Sequence, residues 1–343
     1  MSAPGMVIGT SISGESTIAA SGFRSSLDRE TPLPMQPDTS FDLASLTKIV
    51  ATTSSIMELV TRGELSVDDA VSHFLPAWDT SEKSEITIRH LLQHRSGLSE
   101  WRPLYISAAD SDEAHKLIAT APLRYGIDTG RRYSDLGFIT LGAVITATAG
   151  KSFIASVNEL SLNKLQLTAT RFASPLDMDN VAATSRGDRY EKTMVETKKP
   201  YPVEENSEDF KGWRTRILIG EVNDGNAFHL FKGVSSHAGV FSNAEDLLSF
   251  GESLINSPEL ECFTQEGVDA DFHLGFRSWV DTHGSCSARF YGHTGFTGVF
   301  LAISPLHSAV FVGLSNRLHT DGEIIPTEDI FSKQLNEFHR QLH

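Results

Sequence analysis

A serine and a lysine stand three residues apart in Phe41-Asp42-Leu43-Ala44-Ser45-Leu46-Thr47-Lys48. Three residues is nearly one helical turn, so on a helix Ser45 and Lys48 share a face. An amine there can relieve the hydroxyl of its proton or stabilise a neighbouring base. A helix N-terminus favours the negative charge that develops on such a nucleophile. The same spacing recurs in Ser161-Leu162-Asn163-Lys164. For either pair taken alone, a helix-capping serine followed by a solvated lysine is the plainer account.

Two other stretches carry polar groups at element boundaries. Tyr133-Ser134-Asp135 follows Gly130 and precedes the apolar run from Leu136. It reads as a helix cap, and a residue just before a helix start is also well placed to face a cleft. His293-Thr294-Gly295-Phe296-Thr297-Gly298 ends a strand. Gly295 lets a ligand approach the backbone, and edge N–H groups can hold an oxyanion. The alternative is a glycine-rich hairpin with a surface histidine.

The elements that must position these groups follow from periodicity. Met6 to Ile12 and Ser16 to Gly22 read as a hairpin turned at Gly14. The Ser45 helix runs to about Gly63, and Leu65 to Val71 reads as a helix with a Ser cap. Ile86 to His94, Ser111 to Ala119, Leu136 to Thr148 and Phe153 to Leu160 are helical, and residues 168 to 215 loops and short elements. Another helix starts at Asn243. Strands are expected at 275–280, 287–293, 299–303 and 309–314. The tail from Glu328 carries Ile330, Phe331, Leu335, Phe338 and Leu342 on one helical stripe. Strands at both ends with helices between predict an α+β fold. One antiparallel sheet is built from both termini, with a helical lobe inserted. We expect one domain over 1–343, with a sheet lobe at about 1–48 and 225–343 and a helical lobe at about 49–224. A cleft between the lobes would hold the ligand.

Composition narrows the function. The chain has 343 residues, 40% hydrophobic and 21% charged, and a net charge of -15. No long basic run appears, so neither nucleic acid nor an anionic membrane surface is an expected partner. The expected partner is a small-molecule or peptide substrate; oligomeric state is not legible. Two cysteines, Cys262 and Cys286, are too few for a disulfide framework. Two buried thiols are expected rather than one bridge. No His-Glu-x-x-His pattern occurs, and neither a metal nor a cofactor is expected. No signal peptide or membrane-length segment is visible. The expected location is the cytoplasm, or outside it if a leader has been removed.

As a set, Ser-x-x-Lys, Tyr-Ser-Asp and His-Thr-Gly in this order resemble the serine beta-lactamase and penicillin-binding-protein superfamily, in its class-C-like branch. His90-Leu91-Leu92-Gln93-His94-Arg95-Ser96-Gly97-Leu98 and Gly233 to Ser242 are similar to further landmarks of that family, as is Leu314-Ser315-Asn316-Arg317. The resemblance runs from about Pro4 to Arg317. It implies a beta-lactamase/transpeptidase-like fold and an acyl-enzyme on Ser45, with Lys48 and Tyr133 as the base system. Asp135 would order the lysine or contact the substrate amide. His293, Thr294 and Gly295 would line the substrate strand, and the amides of Ser45 and Phe296 would form the oxyanion hole. His237 and Asn316 are read as structural. Poising a phenol near pH 7 takes roughly 4 kcal/mol. One ammonium about 4 Å away supplies roughly that at an effective dielectric near 20.

Histidine replaces lysine in the third motif, and free imidazole is mostly neutral at pH 7. That weakens an anchor for a substrate carboxylate. It disfavours strong penicillin turnover and favours an ester or a D-amino-acid peptide or amide over a beta-lactam. The rival reading is a penicillin-binding or sensor module that acylates without efficient turnover. An alpha/beta-hydrolase is excluded by the missing Gly-x-Ser-x-Gly elbow and the element order.

Overall fold

In the computed structural model, which describes residues 3–172, 178–265, 267–283 and 286–342, the first hairpin forms as expected. β1 (Gly5–Ile12) alternates buried and half-buried residues. Ser13 and Gly14, at φ of 52° and 86°, turn it into β2 (Glu15–Ser25). Positive φ at both central residues is what a two-residue hairpin turn demands. β3 (Leu33–Pro34) follows on the outer side of β2.

A small second sheet holds β4 (Phe41–Asp42), β5 (Arg171–Phe172) and β6 (Val240–Ser242) in the order β4-β6-β5. The chain then returns to the main sheet with β7 (Arg277–His283), β8 (Cys286–Gly295), β9 (Val299–Ser304) and β10 (Ala309–Ser315). The main sheet reads β3-β2-β1-β10-β9-β8-β7, antiparallel throughout, with the N-terminal β1 against the C-terminal β10. β9 and β10 are buried at every position, because helices cover both of their faces.

Helices occupy most of the sequence between the two halves of the sheet: α1 (Ser54–Thr61), α2 (Ile88–Leu92), α3 (Leu104–Ser107), α4 (Ser111–Thr120), α5 (Asp135–Ala149), α6 (Phe153–Val157) and α7 (Arg189–Thr197). α5 is apolar nearly all round and lies buried, capped by Ser134 and closed by Gly150 in the left-handed conformation. After β6 come α8 (Ala244–Ile255), which packs on β1 and β10, and α9 (Pro258–Thr264). Finally α10 (Thr327–Gln341) lays Phe331 and Phe338 on Phe290, Phe300 and Phe311 across the other face of the sheet. Each such side chain contributes about 2 kcal/mol by burial. Among the described residues no single helix is long and apolar enough to cross a membrane.

Three expectations are corrected. Residues 65–71 form no α-helix. Asp69 accepts the Ser66 amide at 2.7 Å, as a cap would, but Ala70 then bridges Thr87 and leaves the helical path. Residues 168–215 contain a real helix, α7. Cys262 is exposed and free rather than buried; the side chain of Cys286 lies outside the described residues.

Candidate active site

Ser45 lies where β4 leaves the small sheet. The backbone makes a tight 3-10 turn over Ala44–Leu46, widens into a π-type winding over Lys48–Thr53, and continues as α1. Ala44, just before the serine, takes φ of 44°. A side-chain-bearing residue held there stores about 1–3 kcal/mol of strain. The Asp42 carboxylate holds the turn: its Oδ1 accepts the Ala44 amide at 2.8 Å and its Oδ2 the Asn223 amide at 2.6 Å. Burial pushes Asp42 up to about 6, against the lowering pull of those two amides.

The end of β8 closes over this turn. Thr297 Oγ1 donates to the Asp42 carbonyl at 2.7 Å. Gly295 comes so near that a Cβ there would stand 2.5 Å from the Leu43 carbonyl oxygen. β7 begins opposite Gly292, so His293, Thr294 and Gly295 present an edge that β7 does not cover.

Lys48 is fully buried. Its Nζ donates to Ser45 Oγ at 3.0 Å and to the His237 carbonyl at 3.2 Å, and stands 2.7 Å from Asp135 Oδ1. It also faces the Tyr133 ring, 5.0 Å from the centroid. Burial alone would lower its pKa, but the Asp135 carboxylate and the Tyr133 phenol outweigh it and the pKa is raised. Lys48 is therefore an ammonium at neutral pH. The Tyr133 oxygen is buried and has no well-directed hydrogen bond among the described residues.

All the expected site residues thus gather at one place, and the second Ser-x-x-Lys does not. Ser161 is buried and donates to the Val50 carbonyl at 2.7 Å, while Lys164 pairs with Glu58 on the surface. His237 and Asn316 hold the frame. The His237 ring sits between Ser235 and Asp224, and Asn316 accepts the Gly5 amide and donates to the carbonyls of Phe23 and Arg24.

His293 is buried, not a surface residue. Its Nδ1 donates to the Thr294 carbonyl at 2.6 Å. Burial, with Arg277 and Lys48 nearby, holds its pKa well below the ordinary value. It brings no positive charge to the site. Arg277 does: it stacks over the Tyr133 ring at 5.7 Å and makes no ion pair among the described residues.

Arg277 borders a cavity of ≈ 620 Å³ shared with Tyr133 and Thr294, and a groove of ≈ 460 Å³ shared with Gly295 and Phe296. Ser45 opens on another cavity, of ≈ 270 Å³, whose wall carries Tyr133, Asp135, Glu191, Asp224 and the rings of Trp101, Tyr201 and Phe296. Among the described residues no lysine or arginine lines it. Burial and the nearby Asp224 push Glu191 up to about 8.

Sequence reasoning missed Arg277, Glu191 and Asp224. Arg277 lies within the strand expected at 275–280, with no local mark of its side chain's direction. Glu191 sits on the unrecognised α7.

A family model described as Beta-lactamase matches residues 1–330. The N-acetylmuramyl-L-alanine amidase of Bacillus subtilis (strain 168) is 31% identical over 326 residues, covering 84% of this chain and 70% of the relative. A putative D-alanyl-D-alanine carboxypeptidase of Escherichia coli (strain K12) is 29% identical over 338 residues, covering 88% and 74%. In three dimensions a class C beta lactamase from Rhodobacter sphaeroides superposes with a TM-score of 0.71 at 22% identity, covering 99% of this chain and 95% of the other.

Proposed function

Because the chain belongs to the beta-lactamase family, a family of hydrolases, we propose that it forms an acyl-enzyme on Ser45 and cleaves amides or peptides whose leaving amine carries a carboxylate. The observation that carries the first part is the convergence of Ser45, Asp135 and Tyr133 on the wall of one cavity, with the buried Lys48 reaching Ser45 and Asp135 from behind it.

An ammonium has no lone pair to take the serine proton. Lys48 instead orients the Ser45 oxygen and lays positive charge beside Tyr133. With Tyr133 acting as the phenolate beside that charge, its oxygen takes the serine proton as Ser45 attacks the carbonyl carbon. The Ser45 and Phe296 amides receive the oxyanion. The tetrahedral adduct then collapses, the C–N bond breaks, and Tyr133 returns the proton to the departing amine. Water repeats the sequence on the acyl-enzyme and regenerates Ser45.

The substrate class rests on Arg277. His293 is neutral, so a carboxylate near Thr294 would meet the Arg277 guanidinium instead. This supports a C-terminal peptide bond, in keeping with the carboxypeptidase name of one relative. On the Ser45 side, a cavity lined by three carboxyl groups and, among the described residues, by no lysine or arginine suits a neutral or cationic acyl portion.

The test pairs turnover with intact mass. A peptide ending in D-alanyl-D-alanine, a p-nitrophenyl ester and a chromogenic beta-lactam are each incubated with the protein. Release of D-alanine and a fluorophosphonate adduct on Ser45 are expected. A stable beta-lactam adduct with no turnover of any substrate would favour the receptor reading. An adduct on Ser161 would overturn the assignment.

A further inference from the structure

Tyr133 lies in a loop, yet the mechanism above needs its oxygen placed within a fraction of an ångström. The residues on either side of it both donate to one partner. The Arg132 amide donates to the His94 carbonyl at 3.0 Å, and the Ser134 amide donates to His94 Nδ1 at 3.0 Å. The His94 ring also packs on the Tyr133 ring, with centroids 4.4 Å apart, and on Phe138 at 5.2 Å. His94 takes φ of 57°, a left-handed backbone uncommon for residues other than glycine, though histidine, asparagine and aspartate adopt it more readily than most. That backbone lets one residue offer its carbonyl to the Arg132 amide and its ring to the Ser134 amide, one on each side of Tyr133. The Tyr125 hydroxyl holds the same carbonyl at 3.0 Å.

The ring's chemistry fits a structural clamp rather than a base. Because Nδ1 accepts an amide hydrogen, the imidazole proton sits on Nε2. His94 is buried to 1% exposure, and burial with the Lys48 charge keeps it neutral.

We propose that His94 is a positioning residue that holds Tyr133 and, through Ser134, the Asp135 carboxylate in register with Lys48 and Ser45. Its kinetic consequence rests on the serine-hydrolase reading; its structural consequence does not.

Two variants separate the parts. His94→Gly accommodates the left-handed backbone without strain but removes the acceptor and the ring. His94→Asn tolerates the same backbone and places an amide oxygen where Nδ1 stood. Fluorophosphonate labelling of Ser45 should slow on the order of 100-fold in His94→Gly, the cost of an ångström-scale misplacement. Most of the rate should return in His94→Asn. Carbon-13 at Cζ of the tyrosines, with the Tyr133 signal assigned by its loss in Tyr133→Phe, reports the phenol's surroundings independently of activity. Both variants lose the ring beside the phenol, and beyond that shared shift the signal should move further in His94→Gly than in His94→Asn.

An unmoved signal and wild-type labelling in His94→Gly would overturn the proposal, as would a His94→Asn variant no better than His94→Gly. If the wild type itself does not label on Ser45, the hydrolase reading fails and the tyrosine signals alone decide the role of His94. If His94→Gly does not fold, His94→Asn decides: labelling near the wild-type rate supports the clamp, and a loss on the order of 100-fold counts against it.

Discussion

Lys48 Nζ stands 2.7 Å from Asp135 Oδ1, an ion pair between the buried winding after the serine and the first residue of α5. It joins two segments 87 positions apart in the chain and keeps a fully buried lysine charged. Asp135→Asn removes the anion but leaves the buried amine. Breaking a buried pair from one side costs roughly 3–5 kcal/mol; since Asp135 is 18% exposed, the lower end is expected. Urea unfolding should show that loss, and Ser45 labelling should fall with it. A variant as stable and reactive as wild type would remove Asp135 from the account.

Ser45 and Ser161 share a local pattern and differ in surroundings. Ser45→Ala should abolish the covalent adduct. Ser161→Ala should keep full activity and lose about 1 kcal/mol, the net value of one buried hydrogen bond, here to Val50. Intact-mass and thermal-unfolding measurements on the two variants check this directly.

Arg277 should discriminate by substrate charge. A hydrogen bond to a charged group contributes about 1.5–3 kcal/mol, so Arg277→Ala should cut kcat/KM for a peptide with a free C-terminal carboxylate about 10- to 150-fold. A neutral p-nitrophenyl ester should be almost unaffected. Equal losses on both substrates would assign Arg277 to the frame of the site.

Glu191 sets a pH dependence of stability. Its carboxyl is raised from 4.5 to about 8 by burial and Asp224, so the folded state holds the proton more tightly than the unfolded chain. The stabilisation is full below about pH 4.5 and is lost as pH rises through about 8. Glu191→Gln cannot ionise. Its melting temperature should therefore fall less than that of wild type between pH 6 and 9, a range chosen to span the titration. Parallel melting curves across that range would show that the carboxyl is not raised.

Gly295→Ala tests the approach of β8 to the serine turn. The added methyl meets the Leu43 carbonyl oxygen at 2.5 Å and Val299 at 2.4 Å, and backbone cannot swing aside as a long side chain can. Overpacking of this kind costs about 1–3 kcal/mol. Because the contact lies against the nucleophile turn, labelling of Ser45 should fall further than stability does. Unchanged labelling would mean that the strand end can shift without disturbing the serine.

Much of this was legible in local patterns. The hairpin turned at Gly14, the cap before α5, the closing Gly150 and the stripe on α10 are short-range features, and short-range sterics and periodicity report them faithfully. The false helix at 65–71 shows the limit: its capping hydrogen bond forms, but Ala70 finds a bridge partner in Thr87, a contact made 17 residues away. α7 went unread because its neighbourhood is polar and only Val195 is fully buried.

Residue types and spacing alone determined which groups could do chemistry: a hydroxyl, an amine, a phenol and a carboxylate, with the family pattern to rank the first Ser-x-x-Lys above the second. Tertiary structure decided their protonation and their partners. It made Lys48 an ammonium, stripped His293 of charge, brought Arg277 to the rim and bracketed Tyr133 with His94. The reason is physical. Identity and periodicity are carried by neighbours in the chain, whereas burial and the approach of distant charges, which govern where a proton rests, exist only once remote segments have packed together.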